Sequence, residues 1–277
     1  MQMKGRNREI PLFQRVINFV RNGYNSLDPD SRTEVREFVK SRMHQGGGFT
    51  GRDSRPDTYY SLFGAWLYTA MNLSAVSENH PLLNVTRDKS GRIDRLASIL
   101  IEALQTDNKF KKPSFFKLVW LTFWGNRQTS IYYRFFLLTL TCDALCPGHF
   151  IKYIMRIILM FFSPRAGSPC SIYAATVVAR EKVALSTERE KEFLMAFFEE
   201  GKGFKAFTDT EDADLLSTAT TLFSLKYSNA DMRLVTPACL NLLQENYSSG
   251  AFLAGNGDEI RDLEYTFYGL LALGTMV

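Results

Sequence analysis

The chain has 277 residues, 45% hydrophobic and 22% charged, a balance that excludes intrinsic disorder and provides for a sizeable core. Its 33 basic and 29 acidic side chains leave a net charge of +4, too small for a dedicated nucleic-acid surface, so no nucleic-acid partner is expected. No Pro/Gly/Ser-rich linker or low-complexity block divides the chain, and residues 1–277 are expected to form one domain.

Residues 1–9 are polar and charged with no apolar stretch, which predicts a cytoplasmic protein. Residues 10–20 carry apolar side chains at helical spacing and end at Asn22-Gly23. Residues 31–43 follow as a more charged helix with the capping-box pair Ser31 and Glu34. Gly46-Gly47-Gly48-Phe49 then leads into a helix from Asp57, whose Tyr59, Tyr60, Phe63, Trp66, Leu67 and Met71 cover most faces. A helix that is apolar all round is a buried one. Residues 74–90 read as a loop and 93–104 as an amphipathic helix.

The segment 109–124 sets lysines beside a run rich in Phe and Trp, a composition suited either to a membrane interface or to a short buried helix with a basic approach loop. Helices are predicted at 130–142 and 149–162, around the breaker Pro147-Gly148; the second places Lys152 and Arg156 on one side of an apolar body. Peripheral membrane contact through 109–124 and 150–162 is therefore an expectation. Both apolar runs are far shorter than the ~18–20 residues that span a bilayer. Further helices are predicted at 170–180, 188–199, 213–227, 234–246 and 262–275, with no strand.

Three stretches share one grammar of glycine turn, aromatic residue, Asp and a hydroxyl residue four positions on. Gly48-Phe49 precedes Asp57 and Ser61; Gly203-Phe204 precedes Asp214 and Thr218; Gly250-Ala251-Phe252 precedes Asp262 and Thr266. Asp214 and Asp262 lie 48 residues apart, and Asp57 and Asp214 157 apart, about three further steps of the same size. Such a period predicts stacked helical units that cannot bury their own apolar faces alone. Helices near 10, 57, 130, 170, 214 and 262 read as inner and those near 31, 93, 188 and 234 as outer. The expected fold is an all-α (α/α)6 toroid, six inner helices ringed by outer ones.

The three stretches Gly48-Phe49…Asp57-Thr58-Tyr59-Tyr60-Ser61, Gly203-Phe204…Asp214-Leu215-Leu216-Ser217-Thr218-Ala219 and Phe252…Asp262-Leu263-Glu264-Tyr265-Thr266 resemble repeats of the protein prenyltransferase β-subunit and squalene/terpene cyclase superfamily. That resemblance implies an α/α barrel around an aromatic-lined cavity for an isoprenoid chain. The zinc-binding Asp-x-Cys of the prenyltransferases reads here Asp57-x-Tyr59, Asp214-x-Leu216 and Asp262-x-Glu264. The thiol and the imidazole are absent, so neither zinc nor another cofactor is expected. Cys142-x3-Cys146-x2-His149 matches no common zinc spacing and reads as packing.

Aligned on Thr218-Ala219, the acid motif of class II terpene cyclases keeps only Asp214 here, while Asp209-Thr210-Glu211-Asp212 reads Asp-x-Glu-Asp with Glu in the donor place. Asp209, Glu211, Asp212 and Asp214 are the candidate acids, since crowding and desolvation hold a proton on a carboxyl at neutral pH; as caps and solubilising charges they have an equally simple reading. Candidate substrate contacts are Tyr59, Phe63, Trp66, Tyr132, Tyr173, Tyr265 and Phe267, whose π faces stabilise cations, with Glu264 beside them. Arg52 and Arg55, ahead of the Asp57 helix, are placed to meet a diphosphate. Asp57 and Asp262 serve the substrate site or cap their helices. The resulting expectation is acid-initiated cyclisation of a linear polyprenyl or prenylated substrate, with an isoprenoid or other hydrophobic small molecule as partner. The alternatives are a non-catalytic toroid that binds lipid or peptide, and a glycan-active barrel using two carboxylates.

Overall fold

The computed structural model describes residues 10–52, 55–73, 97–101, 114–123, 138–143, 145, 149–161, 163–255 and 257–277. These are mostly helical: α1 (Leu12–Ser26), α2 (Pro29–Ser41), α3 (Thr58–Ala70), α4 (Phe115–Phe123), α5 (His149–Phe161), α6 (Cys170–Lys182), α7 (Glu188–Met195), α8 (Leu215–Tyr227), α9 (Thr236–Glu245) and α10 (Leu263–Met276). Residues 97–101 and 138–143 are also helical, while most of the helices expected at 93–104 and 130–142 lies outside the described residues. Helices α3, α6, α8 and α10 are buried on nearly every face, whereas α2, α7 and α9 bury one face only. One core cluster runs from Leu12 to Ala272.

Three expectations are corrected. The second helix begins at Pro29, not Ser31: the Asp28 side chain accepts from the backbone N–H of Asp30 and Ser31, both at 3.0 Å, and Pro29 at the first helical position has no N–H to satisfy. Strands, expected nowhere, form three antiparallel hairpins: β1 (Phe49–Thr50) with β2 (Pro56–Asp57), β3 (Phe198–Glu199) with β4 (Gly203–Phe204), and β5 (Tyr247–Ser248) with β6 (Ala251–Phe252). Strands of two residues are too short to display alternation. The β3 strand also ends α7 at Met195 instead of 199.

The hairpins account for the recurring grammar. Phe49, Phe204 and Phe252 are buried plugs, and their backbone N–H groups donate to Ser61 Oγ at 2.9 Å, Thr218 Oγ1 at 3.0 Å and Thr266 Oγ1 at 3.4 Å. Asp57, Asp214 and Asp262 cap the following helices by accepting from the N–H of Tyr60, Ser217 and Tyr265. Sequence spacing thus becomes one repeated lock, in which the hydroxyl one turn into the helix satisfies a strand donor that water cannot reach. Thr218→Val keeps the shape but strands the Phe204 N–H, and is expected to cost about 1–3 kcal/mol. Urea unfolding will measure it, and Thr266→Val, with the longer bond, is expected to cost less.

The first hairpin unit lies against the last. Arg42 Nη2 donates to the Arg261 carbonyl at 3.0 Å, Arg52 Nε to Asp262 Oδ2 at 2.9 Å, and the Tyr247 hydroxyl to Glu34 Oε2 at 2.9 Å. Helix α1 packs lengthwise on α10, with Gly23 facing Gly274.

Candidate functional site

Helices α3, α8 and α10 present the same register inward. Counted from the capping Asp, the sixth residue (Phe63, Thr220, Tyr268) and the ninth (Trp66, Phe223, Leu271) line one cavity on all three helices. At the second position Tyr59 and Leu216 line it too, and their counterpart on α10 is Glu264. Steps of four and three residues keep these side chains on one helical face. Val16 of α1, Leu140, and Ser171, Ile172, Ala175 and Val178 of α6 complete the wall around a volume of about 240 Å³. Phe267 joins from α10, its ring centroid 5.2 Å from both Phe63 and Trp66. No charged side chain lines the cavity among the described residues.

At the capping-Asp end the wall meets a cluster of ionisable groups. The Tyr59 hydroxyl donates to Glu264 Oε1 at 2.6 Å. Burial pushes the Glu264 carboxyl up to about 7; the Asp262 charge adds to this, while the Tyr59 hydrogen bond and Arg52 oppose it. Fully buried Asp262 pairs with Arg52, which also reaches Asp258 Oδ2 at 2.5 Å and places its guanidinium 5.9 Å from the Tyr265 ring centre. Tyr60 and Tyr265 are both pushed up to about 12, first by burial and then by the surrounding carboxylates. Asp214 stands on the α8 side. Its Oδ1 accepts from Ser217 N at 2.8 Å, its Oδ2 is buried without a partner among the described residues, and burial raises its pKa.

The expected site residues separate into groups. Tyr59, Phe63, Trp66 and Phe267 line the cavity. Glu264, Tyr265, Asp262 and Arg52 form the cluster at its end, and the partners of Arg52 are the protein's own carboxylates. Asp57 is an exposed cap and Arg55 is exposed. Asp209, Glu211 and Asp212 are exposed on the turn before α8, where Lys202 holds the Glu211 carbonyl; none of the three lines the cavity. Tyr173 is buried between α6 and α7 against Phe193 and Phe197, with its hydroxyl on the Arg165 carbonyl. Tyr132 lies outside the described residues, as does Cys146. Phe223, Tyr268 and Leu271 were not singled out beforehand, although copying the Tyr59, Phe63, Trp66 register onto the other two repeats finds all of them.

Comparison of the chain with protein-family models, with curated proteins and with solved structures finds no match. What the arrangement itself offers is specific. The cavity is small and apolar, its aromatic faces favour a cation, and a carboxyl whose pKa burial raises to about 7 is bonded to one wall residue. Among the described residues no helix is long and apolar enough to cross a membrane.

Proposed function

We propose that this chain is an (α/α)6 toroid that holds an isoprenoid or other small apolar molecule in its central cavity and protonates it to start a cyclisation. The observation that carries the reading is the Glu264–Tyr59 pair at one end of an aromatic-lined cavity. The toroid is supported by the contact of the first hairpin unit with the last, and by the six stretches of chain around one cavity. Glu264 is the first choice of acid and Asp214 the second, because burial raises the pKa of both, whereas Asp209, Glu211 and Asp212 are exposed and do not line the cavity. The volume is below the ~300–1,000 Å³ of drug-sized ligand sites, which favours a short chain or single ring system over one of squalene's length. Peripheral membrane contact through 109–124 and 150–162 belongs to the same proposal as the route for an apolar substrate. Phe116 and Trp120 of α4 and Tyr153 and Phe161 of α5 are all exposed.

The test is product analysis by mass spectrometry after incubating purified protein with prenyl diphosphates, free prenols and prenylated aromatics. Wild type is run beside Glu264→Gln and beside a variant carrying Asp209→Asn, Glu211→Gln, Asp212→Asn and Asp214→Asn. A cyclised product that Glu264→Gln abolishes is expected. Loss only in the fourfold variant moves the acid to α8 or its preceding turn. Binding without product favours a lipid-binding toroid, and a folded protein that neither binds nor converts any of these compounds overturns the reading.

A further inference from the structure

Helix α5 is apolar on nearly every side but buried on only one. Met155 and Leu159 are buried against Ala179 and Val183. Half a turn away, Tyr153, Ile157, Met160 and Phe161 are 62%, 42%, 58% and 86% exposed. A helix apolar all round ordinarily lies within a core, and each of these side chains gains when its surface leaves water. Helix α4 repeats the arrangement on a smaller scale, with Leu118 buried and Phe116 and Trp120 exposed on its opposite side.

The charges around this face have one sign. Between Asp107 and Glu181 the sequence has ten basic side chains and a single acidic one, Asp143, whereas the rest of the chain has 23 basic against 28 acidic. Asp143 does not offset the excess at the surface, because it is held by Lys182 in a buried ion pair at 2.8 Å. Lys152 and Arg156 stand one turn apart along an edge of the exposed face, and Arg165 follows beyond the helix end. Arg156 gives Nη1 to the Val183 and Ala184 carbonyls, both at 2.8 Å, and keeps Nε and Nη2 for a further acceptor. Exposed Arg165 has no carboxylate partner among the described residues, whereas Lys40, Lys191, Lys205 and Arg233 each pair with one.

An exposed apolar face edged by cations matches a surface that is anionic outside and apolar beneath. A second copy of the chain would bring the same positive charge against itself. At 13 residues, roughly 20 Å, α5 is too short to cross the ~30 Å hydrocarbon layer of a bilayer and has the length to lie along it. We propose that α5 lies in the interface of an anionic lipid bilayer, with Tyr153, Ile157, Met160 and Phe161 among the acyl chains and Lys152, Arg156 and Arg165 at the anionic headgroups. This rests on the membrane contact proposed for the same segment and names its lipid: a bilayer of net negative charge holds the chain, and a neutral one does not.

Sedimentation of the full chain with lipid vesicles tests it. Vesicles of phosphatidylcholine with about one-third phosphatidylserine are expected to bind the chain about 100-fold more tightly than phosphatidylcholine alone, three cations contributing about 5-fold each, and added salt to release it. Lys152→Gln and Arg165→Gln are each expected to weaken binding about 5-fold. Tyr153→Asp with Phe161→Asp is expected to abolish binding while leaving the melting temperature unchanged, since both side chains are exposed. Equal binding to the two kinds of vesicle overturns the proposal and leaves a purely apolar membrane contact. Binding that survives Tyr153→Asp with Phe161→Asp overturns α5 as the contact. Binding to neither kind overturns the proposal together with the membrane contact, and self-association that the same two substitutions break then assigns the face to a second copy. Turnover of a substrate by the protein without vesicles is read separately, so failure here and failure of the cavity chemistry are distinguishable.

Discussion

Gly274→Ala is expected to lower the melting temperature by about 6–12 °C, from a loss of about 3 kcal/mol at the upper end of overpacking costs and about 2–4 °C per kcal/mol in a chain of this size. A Cβ at Gly274 would sit 1.8 Å from the Phe19 carbonyl oxygen, and one at Gly23 would sit 2.0 Å from the Leu270 carbonyl oxygen. Both obstacles are backbone atoms in the middle of helices, which cannot turn aside as a side chain can. Helices α1 and α10 must move apart, which disturbs the close packing of the core cluster to which both contribute. Gly64→Ala is the contrast: its Cβ would meet the Phe49 ring at 2.3 Å, so the first adjustment falls on a side chain and the expected loss is smaller. Because Gly23 and Gly274 obstruct the same crossing, the double alanine variant is expected to cost less than the sum of the two single ones. Differential scanning calorimetry of the four proteins checks this. A Gly274→Ala protein that melts within a degree or two of wild type would mean that the two helices do not approach so closely.

Gly23 also marks where sequence reasoning stops. Asn22-Gly23 reads as a helix end, but α1 runs on to Ser26, because the glycine serves an approach to a helix some 250 residues later in the chain, which local pattern cannot encode. The helices themselves were legible, since α3, α8 and α10 are apolar on nearly every side and α2 and α7 are not. So were the three repeat units: the Phe, Asp and hydroxyl positions recur in the sequence because one hydrogen-bonding lock recurs in space. The hairpins escaped notice because each strand has only two residues.

The acids were legible as types but not as environments. The group Asp209, Glu211 and Asp212 is conspicuous by its density, yet it stands on an exposed turn away from the cavity wall. Glu264 is a lone Glu in the first turn of an apolar helix, where a favourable interaction with the helix N-terminus explains it well enough. Only the juxtaposition with Tyr59, 205 residues away in sequence, makes it a desolvated group beside a cavity. The repeat register held the needed hint, because Glu264 occupies the position filled by Tyr59 and Leu216 in the other two copies.

Glu264→Gln is expected to reduce turnover of a cyclising substrate by about 10²–10⁴-fold, the range that a positioned general acid contributes, while leaving the cavity able to bind ligand. Gln keeps the size and accepts the Tyr59 hydrogen bond through its amide oxygen, but has no acidic proton to give. If Glu264 is the proposed acid, its protonated form is the competent one, and the rate is expected to fall as pH rises through about 7, where the Glu264 carboxyl loses its proton. Stability follows the same group. Its folded-state pKa of about 7 lies above the ordinary 4.5, so the folded protein binds the proton more tightly than the unfolded chain. The contribution is therefore present in full below about pH 4.5 and is lost as pH rises through about 7. Glu264→Gln removes this dependence, and its melting temperature is expected to vary less than that of wild type between pH 5 and 8, with its largest relative gain at the alkaline end. The two readouts separate the roles: a flattened stability profile with unchanged turnover would make Glu264 a buried structural acid and leave Asp214 as the proton donor. Loss of turnover together with the flattened profile ties the chemistry to the same carboxyl that burial and Tyr59 hold beside the cavity.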